Sequence, residues 1–159
     1  KGKYDDREKI LEELEKKLDN VNFDFYGYKS KEPLWADNFL KTLSNYDMGL
    51  NLSRGRPIKY YSSDRIVQII ANGLLCFINE NTKLNQLIPK DCAIYYKNLN
   101  DLVRKIKYYK KNQLEMKKIA NNGKKFYNKN FNSTIVSQFI LDRTFKLKNR
   151  FSYTWDLKN

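Results

Sequence analysis

The run from Lys59 to Ile78 limits the possible folds of this chain more than any other stretch. It reads as a polar loop, a helix opened by hydroxyl and carboxylate side chains, a glycine stop, and then a buried strand. Ser62, Ser63 and Asp64 are all good N-cap types, and Ile66, Ile69 and Ile70 recur at the spacing of a helix face turned to a core. Gly73 suits the left-handed residue that ends such a helix, and Leu74-Leu75-Cys76-Phe77-Ile78 follows without a polar position. A helix N-terminus presents unpaired amides and the positive end of a dipole. Arg65 adds a guanidinium that can grip a phosphate with two parallel hydrogen bonds. An anion is expected there.

The rest of the chain supplies partners for that unit. Asp5 or Asp6 can cap a first helix whose Ile10, Leu11, Leu14 and Leu18 form one stripe. Val21 to Tyr26 alternates at period two and halts at Gly27, which predicts a strand ending in a turn. Glu32-Pro33 opens a second predicted helix with Leu34, Phe39, Leu40 and Leu43 inward, and Met48 to Leu52 is a short strand candidate. Ser53-Arg54-Gly55-Arg56-Pro57 is a turn-rich loop. Beyond Ile78 the pattern gives a brief helix from Thr82 to Ile88, a strand at Ala93 to Tyr96, and helices near Asn98–Lys111, Gln113–Asn128 and Asn132–Lys148. Their core-facing residues include Leu102, Ile106, Met116, Ile119, Ile135, Phe139 and Ile140. The aromatic tail from Phe151 to Trp155 needs a packing partner that the pattern does not name.

Strands separated by helices imply an α/β domain with a Rossmann-like parallel sheet flanked by helices and a helical C-terminal portion. Ligands in such sheets sit at the carboxyl ends of the strands. Gly27 to Tyr28, Ser53 to Arg56 and Tyr60 to Arg65 are therefore expected to converge on one crevice. With 159 residues, 41% apolar, the chain is expected to form one domain over residues 1–159. It opens on a helix, whereas a doubly wound unit ordinarily opens on a strand, so it is expected to be part of a longer protein.

Charge narrows the partners. Thirty-one basic residues against eighteen acidic ones leave +13, which points to an anionic partner. Most of the excess lies between Lys97 and Asn130, where eleven Lys or Arg face only Asp101 and Glu115. Cys76 and Cys92 lack metal-ligand spacing and read as reduced core residues of a cytoplasmic protein. The absence of histidine excludes histidine triads and histidine metal sites within this chain. No apolar run reaches the ~20 residues that span a bilayer.

Four features together resemble the C-terminal, donor-binding domain of a GT-B glycosyltransferase of the group-one superfamily, in its spore-maturation-like branch. They are Phe25-Tyr26-Gly27-Tyr28, the strand from Met48 to Ser53, the helix from Asp64 to Gly73, and the run from Met116 to Gly123. The resemblance implies a nucleotide-diphosphate sugar as donor, with the diphosphate on the amides of Ser62, Ser63, Asp64 and Arg65. Arg65 is then the group that stabilises the leaving diphosphate, with Arg54 and Lys59 as further cations. Gln68 stands where such domains carry a ribose-binding glutamate, and an amide there loses about 1 kcal/mol of that contact. Tyr26, Gly27, Tyr28 and Ser53 fall where base or ribose would lie. The paired-glutamate signature is absent, since its members would fall at Tyr60 and Gln68. Lys59 to Arg65 also resembles a segment of the α1,3-fucosyltransferases, so UDP- and GDP-linked donors both stay open. The resemblance implies no cofactor and no metal, and it assigns the acceptor and any general base to a missing N-terminal domain.

The basic segment from Lys97 to Asn130 allows peripheral contact with an anionic membrane, which would suit lipid-linked acceptors in cell-envelope polysaccharide synthesis. An alternative function is a non-catalytic basic α/β module binding a polyanion. Tyr95, Tyr96, Tyr108, Tyr109, Phe126 and Tyr127 interleave with the lysines, but no recognised nucleic-acid module fits and a helix would bury many of these rings, which weighs against nucleic acid.

Overall fold

A computed structural model of the chain describes residues 6–28 and 31–156. Its centre is a parallel sheet of three strands in the order β1-β2-β3, with β1 at Met48–Asn51, β2 at Leu75–Asn79 and β3 at Ile94–Tyr96. Among the described residues six α-helices accompany it: α1 (Arg7–Lys17), α2 (Ala36–Leu43), α3 (Asp64–Ile70), α4 (Leu99–Lys111), α5 (Gln113–Asn130) and α6 (Ser133–Thr144). The expected α/β layer with a helical C-terminal portion is the observed one.

β2 explains its own composition. As the central strand it pairs on both edges, with Met48 opposite Leu75 and Phe77 opposite Ile94. Alternate side chains enter different cores. Cys76 and Ile78 join Ile66, Ile69 and Ile70 of α3 and Tyr127 of α5, while Leu75 and Phe77 join Leu14, Leu18, Leu102, Ile106 and Met116. A strand covered on both faces has no polar side to show. Helix α5 serves both cores, and Gly123 is what allows its close approach: a Cβ there would lie 2.4 Å from the Cys92 carbonyl oxygen.

Cap chemistry sets several boundaries. The Asn98 side chain accepts from the Asp101 amide at the start of α4, and Asn132 accepts from the Ile135 amide at the start of α6. Asp6 occupies the N-cap position of α1 but makes no side-chain cap bond, and Asp5 lies outside the described residues. Helix α3 ends at Ile70, and Gly73 beyond it takes the expected left-handed conformation, φ +86°, with its amide and that of Leu74 bonded back to Ile70 and Ile69.

Several expectations are corrected. Val21 to Tyr26 keeps its alternation of half-buried and exposed side chains but forms no strand, because it stands off from β1 across a cleft instead of pairing with it. Helix α2 starts at Ala36, three residues past Pro33, and its Leu40 is exposed. The expected helix from Thr82 to Ile88 is two 3-10 turns, Glu80–Thr82 and Leu84–Gln86, separated by Lys83 in the left-handed conformation. Helix α6 ends at Thr144, short of Lys148. Lys146 takes φ +53° and the Leu147 amide reaches back to the Asp142 carbonyl, closing the helix in a Schellman turn without glycine. Ile140, expected inward, is exposed.

The aromatic tail has its partner. Trp155 packs on Phe131 and Phe139, and Tyr153 meets Phe139 edge-on at 5.0 Å. Buried Asp142 ties the tail down, accepting from the Tyr153 hydroxyl, the Arg150 amide and the Gln138 side chain.

An ionic clamp opens α4. Asp101 accepts from Arg104 at 2.6 Å, from Lys105 at 2.7 Å and from the Lys97 amide at 3.1 Å. Partial burial raises its pKa, but the hydrogen bonds from Lys105, Arg104 and Lys97 outweigh it and hold the carboxyl down at about 2. A depressed carboxyl contributes stability above its unfolded pKa of ~3.9, and that contribution is lost as pH falls through the folded value. Thermal melts of wild type and Asp101→Asn should therefore differ above pH ~4 and converge toward pH ~2. A constant difference across that window would remove the clamp as its source.

Candidate functional site

The carboxyl ends of the strands are built from the loop between β1 and α3. Asn51, the last residue of β1, is buried, and its side-chain oxygen accepts from the Ser63 hydroxyl at 2.8 Å. Ser63 is the N-cap of α3 by position, but its hydroxyl goes to Asn51 and does not cap the helix. Arg65, half-buried in the first turn of α3, donates to the Leu52 carbonyl at 2.6 Å, which holds its guanidinium at the end of β1. The same loop is pinned at the end of β2, where the Tyr60 amide donates to Thr82 and the Tyr60 hydroxyl to Gln86. Lys59 lies there too, its Nζ 4.8 Å above the Tyr60 ring. The Ser53 hydroxyl is buried, and among the described residues it has no hydrogen-bond partner. An unpaired buried hydroxyl costs about 1–3 kcal/mol, which a ligand polar group would relieve.

A cleft of about 980 Å³ runs alongside β1. One wall is the segment from Asn20 to Tyr28; the other includes Met48 to Leu50 of β1, Phe39 of α2, and Arg65 and Gln68 of α3. Five of the residues singled out from the sequence, Tyr26, Gly27, Tyr28, Arg65 and Gln68, line this one space. Ser53, Arg54, Lys59, Ser62 and Ser63 do not line it and belong to the loop that leads from its edge, past β1, to the end of β2; Asp64, the first residue of α3, does not line it either.

The turn at Tyr26 to Tyr28 is closed by bonds between Gly27 and Lys31 and between Lys31 and Tyr28, with Gly27 at φ +72°. Two residues that the sequence reading missed hold it in place. Asp24 accepts from Tyr46 at 2.8 Å and pairs with Lys31 at 2.5 Å, and the Tyr26 and Tyr46 hydroxyls lie 3.3 Å apart. The hydrogen bonds from Lys31 and then Tyr46 keep the Asp24 carboxyl below the usual carboxylate range. Burial, then the bonds to Tyr26 and Asp24, push the Tyr46 phenol up. The pairing of Asp24 with Tyr46, across α2, leaves no periodic trace. Asn51 did carry a signal, being the one polar side chain in an otherwise apolar strand pattern.

A model of the family described as glycosyl transferase-like matches residues 7–142, which is most of the chain. The chain belongs to the glycosyl transferase-like family. The match covers every element from α1 to nearly the end of α6 and so includes the cleft and the loop beyond it. No curated protein and no solved structure matched the chain. In this glycosyltransferase domain, no group of three or more His, Cys, Asp or Glu among the described residues is placed to hold a metal ion. Both cysteines are buried thiols, and burial pushes the Cys92 thiol up to about 11, well away from a nucleophile's range. No helix among the described residues is long and apolar enough to cross a membrane.

The basic segment of this domain does not form an aromatic platform. Tyr96 and Tyr127 are buried, Tyr95, Tyr109 and Phe126 half-buried, and exposed Tyr108 donates its hydroxyl to Glu115. Rings committed to the core cannot stack on bases.

Proposed function

We propose that this domain binds a nucleotide-diphosphate sugar along the cleft beside β1 and stabilises the leaving diphosphate during glycosyl transfer to a glycan or lipid-linked acceptor. The observation that carries the reading is Arg65: a half-buried guanidinium at the carboxyl end of a parallel strand, on the same cleft as Gln68 and the turn at Tyr26 to Tyr28, in a glycosyltransferase-family domain. Its bond to Leu52 takes one of five N–H donors, which leaves a fork suited to a phosphate.

On this reading Arg65 and the amides of Ser62, Ser63 and Asp64 receive the diphosphate, and the orphan hydroxyl of Ser53 gains a partner. Arg54 and Lys59 add positive potential from the adjoining loop. Gln68 bonds the ribose, and base or sugar lies against Tyr26, Gly27 and Tyr28. Charge develops on the diphosphate as the glycosidic bond breaks, so fixed donors aimed at it lower the barrier without reorganising. The domain then acts as the donor half of a GT-B enzyme of the spore-maturation-like branch, of hexosyl or fucosyl type, in cytoplasmic cell-envelope polysaccharide synthesis. A further N-terminal domain supplies the acceptor site and any general base, so the domain by itself is expected to bind without turning over.

Calorimetric titration with UDP, GDP and ADP tests this directly. One of the three should bind preferentially, and Arg65→Ala should weaken that binding roughly tenfold to a hundredfold, as the loss of a charge-assisted hydrogen bond predicts. Indifference to all three, with salt-sensitive binding of short DNA instead, would replace this reading with that of a basic polyanion-binding module.

A further inference from the structure

We infer that the outer face of α6, together with the segment that follows it, is a docking surface for an anionic lipid bilayer. Helix α6 carries five apolar residues, Ile135, Val136, Phe139, Ile140 and Leu141, and they do not all lie on the side that meets the tail. One side of it is covered by the tail. The other is not: Val136, Ile140, Leu141, Phe145, Leu147 and Phe151 are between 38% and 66% exposed. These side chains sit on a fixed scaffold, because the Schellman turn at Lys146 and the bonds from Arg150 and Tyr153 to Asp142 hold residues 145–153 against the helix.

Charge decides the occupant. Between Ser133 and Phe151 the chain carries Arg143, Lys146, Lys148 and Arg150, all exposed, and one acid, Asp142, which is buried and spends its oxygens on the tail. The next acid, Asp156, is taken by Arg143 and Asn149. Protein interfaces are depleted in lysine, whereas helices that lie in a bilayer surface combine Phe and Leu with Lys and Arg. Apolar side chains here would enter the acyl boundary while the cations meet anionic headgroups, each worth about 1 kcal/mol near such a surface. The more basic α4–α5 hairpin fits less well. Among its large apolar side chains only Tyr108 and Leu114 are exposed, so its lysines have little to insert.

The test is flotation of the full chain with vesicles of phosphatidylcholine alone and of equimolar phosphatidylcholine and phosphatidylglycerol. Binding is expected to the anionic vesicles only. Lys146→Asn/Lys148→Gln/Arg150→Gln should weaken it by roughly a hundredfold, and Phe145→Ser/Leu147→Ser by roughly tenfold or more. All of these positions are exposed, so far-UV circular dichroism and Trp155 fluorescence should stay unchanged. Ile140→Gln provides a second apolar variant that leaves the turn intact. A control, Lys117→Gln/Lys118→Gln/Lys125→Gln, should keep more of the binding than the first triple variant. Absence of vesicle binding, or a control that loses as much as the site variants, overturns the inference. Sedimentation as a dimer that Phe145→Ser/Leu147→Ser splits would instead assign the face to a second copy of the chain.

Discussion

Gly123→Ala should destabilise the domain by about 2–3 kcal/mol even though alanine is the better helix former by about 1 kcal/mol. The glycine lies in the body of α5, where the added Cβ would stand 2.4 Å from the Cys92 carbonyl oxygen and 3.2 Å from the Ile70 side chain. A side-chain tip could rotate away; a backbone carbonyl cannot move alone. Relief would require α5 to back off from the loop before β3, and α5 feeds both cores, with Tyr127 in one and Met116 and Ala120 in the other. Thermal unfolding should fall by roughly 5–10 °C. An unchanged or raised midpoint, the outcome helix propensity alone would give, rejects the close approach of α5 to that loop.

Phe77→Ala carries the largest expected cost, about 3–5 kcal/mol. Phe77 is fully buried at the middle of the central strand, beside Leu14, Leu18, Ile106 and Met116, with the Tyr109 ring edge-on at 6.4 Å. These five neighbours come from three helices, α1 with its C-cap Leu18, α4 and α5, so collapse around the vacated space would have to move several elements together. Native domains have about 5–15 kcal/mol in total, so this one truncation threatens the fold. Phe77→Leu, which leaves less space to collapse, should cost less and keep the fold. Denaturant titration measures both costs. A loss below about 1 kcal/mol for the alanine variant would show that the site collapses freely.

Local chemistry explains what could be read beforehand. The β2 run and the isoleucine spacing of α3 each act within a few residues, and both elements were found where their patterns placed them; α4 and α6 begin one residue past Asn98 and Asn132, close to where the pattern started them. Val21 to Tyr26 shows the limit of periodicity: alternation records which side chains are half-buried, not whether the backbone finds a partner. The end of α6 was missed because a lysine, not a glycine, takes the left-handed position. In the site, Arg65, Gln68 and the turn at Tyr26 to Tyr28 were legible as residue types at the ends of elements, and they line one cleft. The remaining loop residues were legible by type but sit beyond that cleft. Asp24, Tyr46 and the aromatic tail stayed hidden because their partners are brought to them only by the finished fold.

The position of α5 has a consequence for synthesis on the ribosome. All three strands and α3 emerge before α5 does, yet neither face of the sheet can close without Met116, Ala120 and Tyr127. Parallel pairing offers no local hairpin that could hold the nascent strands meanwhile. Ile66, Ile70, Cys76 and Phe77 therefore stay uncovered until about fifty further residues have left the exit tunnel, several seconds at ordinary elongation rates. A chain truncated before α5 should be a substrate for holdase chaperones, whereas one ending after Phe131 already contains the residues of both core clusters.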